Sequence, residues 1–432
     1  MKDIKIVVGV DIGTAKIVCV IAKVDDEGIV HVLGVSEMRS QGIRKGQIVD
    51  IEDAVAGINT ALESAERMAG YSISRVVASI GGSHIESQNS RGVVAVSAPE
   101  GEITQNDLTR VIDAARAVSL PSSREIIHVL PRSYTVDGQE GIKDPIGMTG
   151  IRLEVETHII SAGATSVKNL QKALSEVGVD VDGLIFSGYA SSLAVLSETE
   201  KELGVVLVDI GAGTTDISIY VDGSVAHSSV LPIGARHITN DLAIGLRISL
   251  ESAEKIKLFL SRPHKKMTTL EDNEIVERPQ PGVSRDEVDL SHLNLPEEVK
   301  KVSQKTLVEG IIRPRLNEIF TMVGLEIKKS GWGGQTPAGI VLTGGGAATV
   351  GIVDAAKRTL AMPVRIGIPN NLKGIVDEVQ NPSFATAIGL IKAGESFEIP
   401  SSLPFGINLP HIKFPGSKLG KKVLDLIKSF IP

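Results

Sequence analysis

Cysteine is almost missing: Cys19 stands alone in 432 residues. That excludes an internal disulfide and a cysteine-built metal site, and it fits a reducing compartment. Aromatic residues make up 3% of the chain, too few for a platform on which single-stranded nucleic acid would stack. The formal net charge of −7 argues against whole-surface nucleic-acid binding, so no nucleic-acid partner is expected. No apolar run approaches the roughly 18–20 residues of a membrane-spanning helix. The nine histidines show no ligand spacing such as His-Glu-x-x-His, so no zinc site is expected. A secretory leader is not expected either, because Lys2, Asp3 and Lys5 precede an apolar run that stops at Asp11. The expected location is cytoplasmic, with any membrane contact peripheral.

What remains is an ordinary globular composition, 42% apolar and 22% charged, in a chain long enough for two to four domains. Ile4–Val10 reads as a buried strand, Asp11-Ile12-Gly13-Thr14-Ala15-Lys16 as a turn, and Ile17–Ala22 as the returning strand. The pattern recurs as Val205–Val208, Asp209-Ile210-Gly211-Ala212-Gly213-Thr214-Thr215-Asp216 and Ile217–Val221, with the tetrad Val-Asp-Ile-Gly starting at Val10 and again at Val208. Two like hairpins predict a duplicated α/β unit with a cleft between its halves. Between them, Ile51–Ala69 is an amphipathic helix with Val55, Ile58, Leu62 and Ala65 on one stripe. Strand-like 92–97, a helix near 107–118 and strands near 126–130 and 152–159 form an inserted α+β block. Residues 264–298, punctuated by proline and rich in charge, read as a solvated insertion. A long helix is expected from near Lys300 towards Lys329, kinked before Pro314. Ile340–Thr343 then runs as a strand into Gly344-Gly345-Gly346. Cys19 is read as core, and Trp332 as a loop residue without a visible partner.

Glycine and threonine at a hairpin tip offer backbone N–H and hydroxyl donors to phosphate oxygens without a side chain in the way. An aspartate ending the preceding strand can hold a hydrated Mg²⁺. Asp-x-Gly is also ordinary turn chemistry; its recurrence in two halves favours phosphate binding.

In this order, Asp-x-Gly-x-x-Lys, Asp-x-Gly-x-Gly-Thr-x-Asp and a glycine-rich strand–helix turn resemble the actin, Hsp70 and sugar-kinase ATPase superfamily. The resemblance implies ATP and Mg²⁺ between two RNase-H-like halves. Asp11, Gly13, Thr14 and Lys16 would form one phosphate loop, and Asp209, Gly211, Gly213, Thr214 and Asp216 the other. Gly344, Gly345 and Gly346 would form the adenosine loop, and Asp11 and Asp209 would reach Mg²⁺ through water. Glu254 and Lys257 match the positions that touch ribose and adenine, although Glu-x-x-Lys is equally a surface ion pair.

A closer resemblance is to the bacterial actin-like cell-division family FtsA, over nearly the whole chain. It is carried by Arg39-Ser40-Gln41-Gly42-Ile43-Arg44-Lys45-Gly46 with Val49-Asp50-Ile51-Glu52, by 82–87, by Asp144-Pro145-Ile146-Gly147-Met148-Thr149-Gly150, and by Glu200-Lys201-Glu202-Leu203-Gly204. It implies a first-half core at 1–83 and 163–197, an inserted subdomain at 84–162, a second-half core at 198–223 and 304–365, and an outer subdomain at 224–303. A first-half helical return at 366–394 and a Pro-rich linker at 395–416 would follow. The implied partners are the FtsZ C-terminal tail on the outer subdomain, other division proteins on the inserted block, and further copies in a polymer. Ser187-Gly188-Tyr189-Ala190 replaces the Glu-Pro of Hsp70 relatives, so at most slow hydrolysis is expected and no catalytic residue is assigned.

Residues 417–432 read as a basic amphipathic helix. Leu419, Val423, Leu426, Ile427, Phe430 and Ile431 share one face, and Lys418, Lys421, Lys422 and Lys428 lie off it. Such a helix fits the interface of an anionic membrane. Two other functions carry fewer of these features: a small-molecule phosphotransferase of the sugar-kinase branch, and a pilus-assembly binding protein of the same fold.

Overall fold

A computed structural model describes residues 6–98, 101–262, 286–297 and 299–395. The expectations for a Pro-rich linker and for a helix at 417–432 fall outside the described residues. So does most of the insertion expected at 264–298.

Ile6–Ile12 and Lys16–Val24 form the first hairpin, and Val30–Arg39 continues it antiparallel. On the other side of Ile6–Ile12, Arg75–Ile80 and then Asp180–Phe186 add parallel strands, while Leu372–Gly374 closes the far edge of a six-stranded sheet. Val7, Val8, Val10 and the whole run Ile17–Ala22 are buried, as expected for strands covered on both faces. The helix Ile51–Ala69 covers one face. Asp50 caps its start by accepting from the Asp53 N–H, and Gly70 at φ 62° ends it. Its buried residues are Ala54, Ile58, Ala61, Leu62 and Ala65, so Val55 sits at the stripe's margin. Cys19 is buried in this core, and burial pushes its thiol up to about 12.

The second half repeats the plan. Val205–Ile210 and Thr215–Val221 form the second hairpin, Ser224–Leu231 continues it antiparallel, and Ile340–Thr343 lies parallel on the opposite side of Val205–Ile210. Val364–Ile366 completes five strands. Strand Ser224–Leu231 therefore extends the core sheet beyond 223, where the outer subdomain was expected to begin, because its successive residues Val225 and Ala226 bury in the cores on the sheet's two faces.

The inserted block is a four-stranded sheet, in the order Glu86–Ala95, Arg152–Gly163, Arg124–Val136 and Gln139–Ile142, with helix Gln105–Arg116 on one face. Ile103, Leu108, Val111, Ala115, Tyr134, Val136, Leu153 and Val155 make its separate core. Its first strand begins six residues before the expected Gly92. Glu86-Ser-Gln-Asn-Ser-Arg has no apolar alternation, and two of its polar side chains reach across the seam to the second half. Ser87 Oγ donates to the Ser228 carbonyl at 2.6 Å, and Asn89 Nδ2 donates to the Ala226 carbonyl at 3.2 Å.

The long helix expected from Lys300 starts later. Lys301–Ser303 pairs antiparallel with Glu287–Asp289, and Leu290 is buried, so this end of the expected insertion is ordered. A π-helical stretch, Thr306–Ile312, then leads into the α-helix Arg313–Ser330. The Arg313 N–H reaches the carbonyl of Val308, one residue further back than in an α-helix. Pro314 next to it has no N–H to give, so the expected kink takes the form of a widened turn. Trp332 has a partner after all: the Arg132 guanidinium of the inserted sheet lies 4.7 Å from its ring centroid.

Candidate functional site

Both hairpin tips close with the same backbone bond. The Gly13 N–H donates to the Lys16 carbonyl at 3.0 Å, and the Gly211 N–H donates to the Thr214 carbonyl at 2.9 Å. The tips face one another across the gap between the halves. A Cβ added to Gly213 would lie 2.9 Å from Thr14 Oγ1, so this glycine serves the approach of the two tips. Thr14 Oγ1 itself accepts from the Gly46 N–H at 3.0 Å. Beside the second tip, Ile340–Thr343 ends in Gly344, whose φ of 81° and closeness to the Asp209 carboxylate both exclude a side chain. A Cβ on Gly346 would stand 2.5 Å from Ile210 Cγ2, whereas on Gly345 it would meet only Ser383 Cβ at 3.8 Å. Gly345 is thus the open member of the turn.

These elements enclose a cavity of about 410 Å³ lined by Asp11, Gly13, Thr14, Lys16, Asp209, Gly211, Thr214, Asp216, Glu254, Lys257 and Gly344–Gly346. Of the residues singled out from the sequence for this site, Gly213 alone stands behind the wall. Lys16 lines the cavity with its ammonium already engaged, 2.7 Å from Glu37 Oε2, 3.1 Å from Ser383 Oγ and 4.3 Å from the Phe384 ring centroid. Glu254 and Lys257 form the ion pair that Glu-x-x-Lys allows, but Lys257 is buried at the cavity wall and not on a solvated face. Their side chains pair at 2.7 Å, Thr239 Oγ1 donates to Glu254 at 2.5 Å and accepts from Lys257 at 2.9 Å, and both line the cavity.

Three carboxylates meet at the floor. Asp11 is half-buried; Ser79 Oγ donates to its Oδ1 at 2.8 Å and accepts the Ile12 N–H at 2.9 Å. Asp209 accepts from Ser191 Oγ and from Thr386 Oγ1, the latter at 3.2 Å. Asp216 is buried with Oδ1 unpartnered. Burial raises the Asp11 pKa against the opposing Ser79 bond. Burial pushes Asp209 up to about 6, opposed by the Ser191 bond and helped by the nearby charge of Asp11. Burial, then repulsion from Asp209 and Asp11, holds Asp216 well above the usual carboxylate range. A group of three carboxylates short of positive charge suits a bound cation. Among the described residues no three His, Cys, Asp or Glu side chains are placed to hold a metal ion directly. A cation here would therefore be met through its own water shell.

Ser79, Ser191, Ser383 and Thr386, which position the carboxylates and Lys16, carry no sequence signal. Each is a hydroxyl residue outside the two hairpin sequences. Ser187 lines the cavity and donates to the Ile80 carbonyl at 3.2 Å, and Ser187–Ala190 offers no carboxylate or amide side chain to orient a water.

Residues 82–161 match the sequence model of the SHS2 domain inserted in FTSA, and residues 206–389 match that of cell division protein FtsA. The cell division protein FtsA of Pseudomonas aeruginosa is 38% identical over 394 residues, spanning 90% of this chain and 89% of that protein. That of Escherichia coli K12 is 37% identical over 400 residues and 91% of each. Among solved structures, the PilM-PilN type IV pilus biogenesis complex aligns with a TM-score of 0.62 at 16% identity, over 90% of this chain and 98% of that one. At that identity the likeness speaks for the fold alone.

Proposed function

The chain belongs to the FtsA family of cell-division proteins, with an actin-like fold and an inserted SHS2 domain, and on that premise we propose that its cleft binds ATP with a hydrated Mg²⁺. The observation that carries this reading is the pair of identically closed tips facing across one cavity, above three carboxylates that share too little positive charge. The backbone N–H groups of the tips and Thr14 and Thr214 hold phosphate oxygens. Asp11 and Asp209 accept hydrogen bonds from the metal's waters, kept in place by Ser79, Ser191 and Thr386. Glu254, Lys257 and Gly345 border the adenosine. Bound Mg²⁺ supplies the positive charge that lets the carboxylates and the phosphates approach. With no group placed at Ser187–Ala190 to activate water, ATP orders the two halves and is turned over slowly.

At the level of the cell, the protein is an adaptor at the division site that polymerises, takes the FtsZ C-terminal tail on its outer second-half subdomain, takes other division proteins on its inserted block, and holds them to the inner face of the membrane. The membrane part rests on the sequence of 417–432. Six apolar side chains at about 1 kcal/mol each, with roughly 1 kcal/mol for each positive charge left once Asp425 offsets one of the four lysines, give a gross gain of about 9 kcal/mol. Folding a short helix takes back part of that gain. One copy binds weakly and a polymer binds well through avidity. Co-sedimentation with anionic vesicles tests the adaptor. Phe430→Glu releases the protein at any salt concentration, Lys421→Ala with Lys422→Ala weakens binding only at low salt, and deletion of 417–432 leaves ATP binding intact. Loss of the ATP site on truncation would contradict the reading.

A further inference from the structure

A second cavity of about 360 Å³ opens beside the first and shares Thr14, Ala15, Ala212, Glu254, Lys257 and Leu258 with it. Its charges differ from those of the floor. Four cations line it: Arg39, Arg236, Lys255 and Lys257. Lys255 is matched by Glu251 at 3.1 Å and Lys257 by Glu254 at 2.7 Å. Arg39 and Arg236 are left over, with no ion pair or side-chain hydrogen bond among the described residues.

Their placement is symmetrical. The Ser40 N–H next to Arg39 donates to the Ala15 carbonyl of the first tip at 3.0 Å, and the Arg236 N–H donates to the Ala212 carbonyl of the second tip at 2.9 Å. Each arginine is thus fastened by backbone to its own tip, one in each half. Ser40 Oγ lies among them, buried and without a hydrogen-bond partner, which leaves a hydroxyl donor to spare.

We propose that this mouth of the cleft is an anion subsite in which Arg39 and Arg236, from opposite halves, clamp a phosphate group together with Ser40. The inference rests on the nucleotide reading of the adjoining cavity. Two guanidiniums free of carboxylates suit a dianionic oxyanion, and a ligand held by both halves favours the closed cleft. The phosphate has two sources, the terminal phosphate of the nucleotide or free inorganic phosphate beside a bound diphosphate.

Calorimetry on the full chain separates them. ATP and ADP are titrated with Mg²⁺, and inorganic phosphate is titrated into ADP-loaded protein. A wild-type preference for ATP assigns the terminal phosphate; phosphate uptake by the ADP-loaded protein assigns the free ion. In either case Arg39→Gln with Arg236→Gln lowers that readout about tenfold or more, the loss of charge-assisted hydrogen bonds. Lys255→Gln, whose charge Glu251 already matches, changes it less than about twofold. Both arginines are exposed, and either single substitution carries the same test if the double variant melts early. A folded variant with both readouts intact, or a wild type that binds ATP and ADP alike and no phosphate, overturns the subsite. A wild type that binds neither nucleotide overturns the nucleotide reading itself, and the subsite falls with it.

Discussion

In the first hairpin, Asp11 has Ser79 against it and Lys16 on the returning strand, whereas in the second hairpin Asp209 has only hydroxyl partners and Asp216 has an oxygen with none. The backbones of the two tips are alike down to the turn bond, so the difference is one of charge. The first tip carries one carboxylate, beside an ammonium that Lys16 shares with Glu37. The second concentrates buried negative charge that the protein's own residues do not neutralise. The second tip is the one whose electrostatics a bound cation would change most.

Five substitutions break or sharpen that contrast. The largest effect is expected at the turn behind Asp209. Gly344→Ala combines a left-handed backbone with overlap on the Asp209 carboxylate and should lower unfolding free energy by about 3–5 kcal/mol in urea titrations. Gly345→Ala next to it, meeting nothing closer than 3.8 Å, should change it by less than ~0.5 kcal/mol.

Next comes Asp209→Asn. The native carboxyl is raised to about 6, so it contributes stability that is present below its unfolded value near 4 and lost as pH rises through 6. The asparagine keeps its acceptor and avoids that loss. Without nucleotide the variant should therefore gain on the wild type between pH 4 and pH 6, by on the order of 2–3 kcal/mol. The same variant should lose Mg²⁺-dependent ATP affinity. A variant less stable than wild type at pH 7.5 would place the excess negative charge elsewhere.

In the first half, Ser79→Ala removes both a donor to Asp11 and the acceptor of the Ile12 N–H, and denaturant curves should show a loss of about 1–3 kcal/mol. Lys16→Gln comes last. Its pair with Glu37 is partly exposed, so stability should change by less than ~1 kcal/mol, while ATP affinity falls if the ammonium turns to phosphate.

The hairpins were legible because burial on both faces writes a continuous apolar run, and a tight polar tip writes Asp, Gly and Thr. Helix Ile51–Ala69 was legible to the residue because Asp50 and Gly70 mark its ends chemically. The strand from Glu86 was hidden, since it carries no apolar alternation and two of its polar side chains, Ser87 and Asn89, find partners on Ser224–Leu231. The pairing of Lys301–Ser303 was hidden because its partner strand sits in a charged, proline-broken stretch. Trp332 looked unpartnered because Arg132 is 200 residues away in the chain. The hydroxyls that hold Asp11 and Asp209 come from three separate elements, and no local pattern can announce a contact that only the fold creates.

The central claim, that ATP and a hydrated Mg²⁺ complete the charge of this cleft, is tested most directly by calorimetric titration of ATP, with and without Mg²⁺, into the wild type and Gly345→Phe. A Cβ at Gly345 meets nothing closer than Ser383 Cβ at 3.8 Å, so this cavity-lining position is the member of the turn that can take a side chain. The account predicts Mg²⁺-dependent binding in the wild type and its loss in the variant at an unchanged melting temperature. Equal ATP affinity in the two proteins would contradict it.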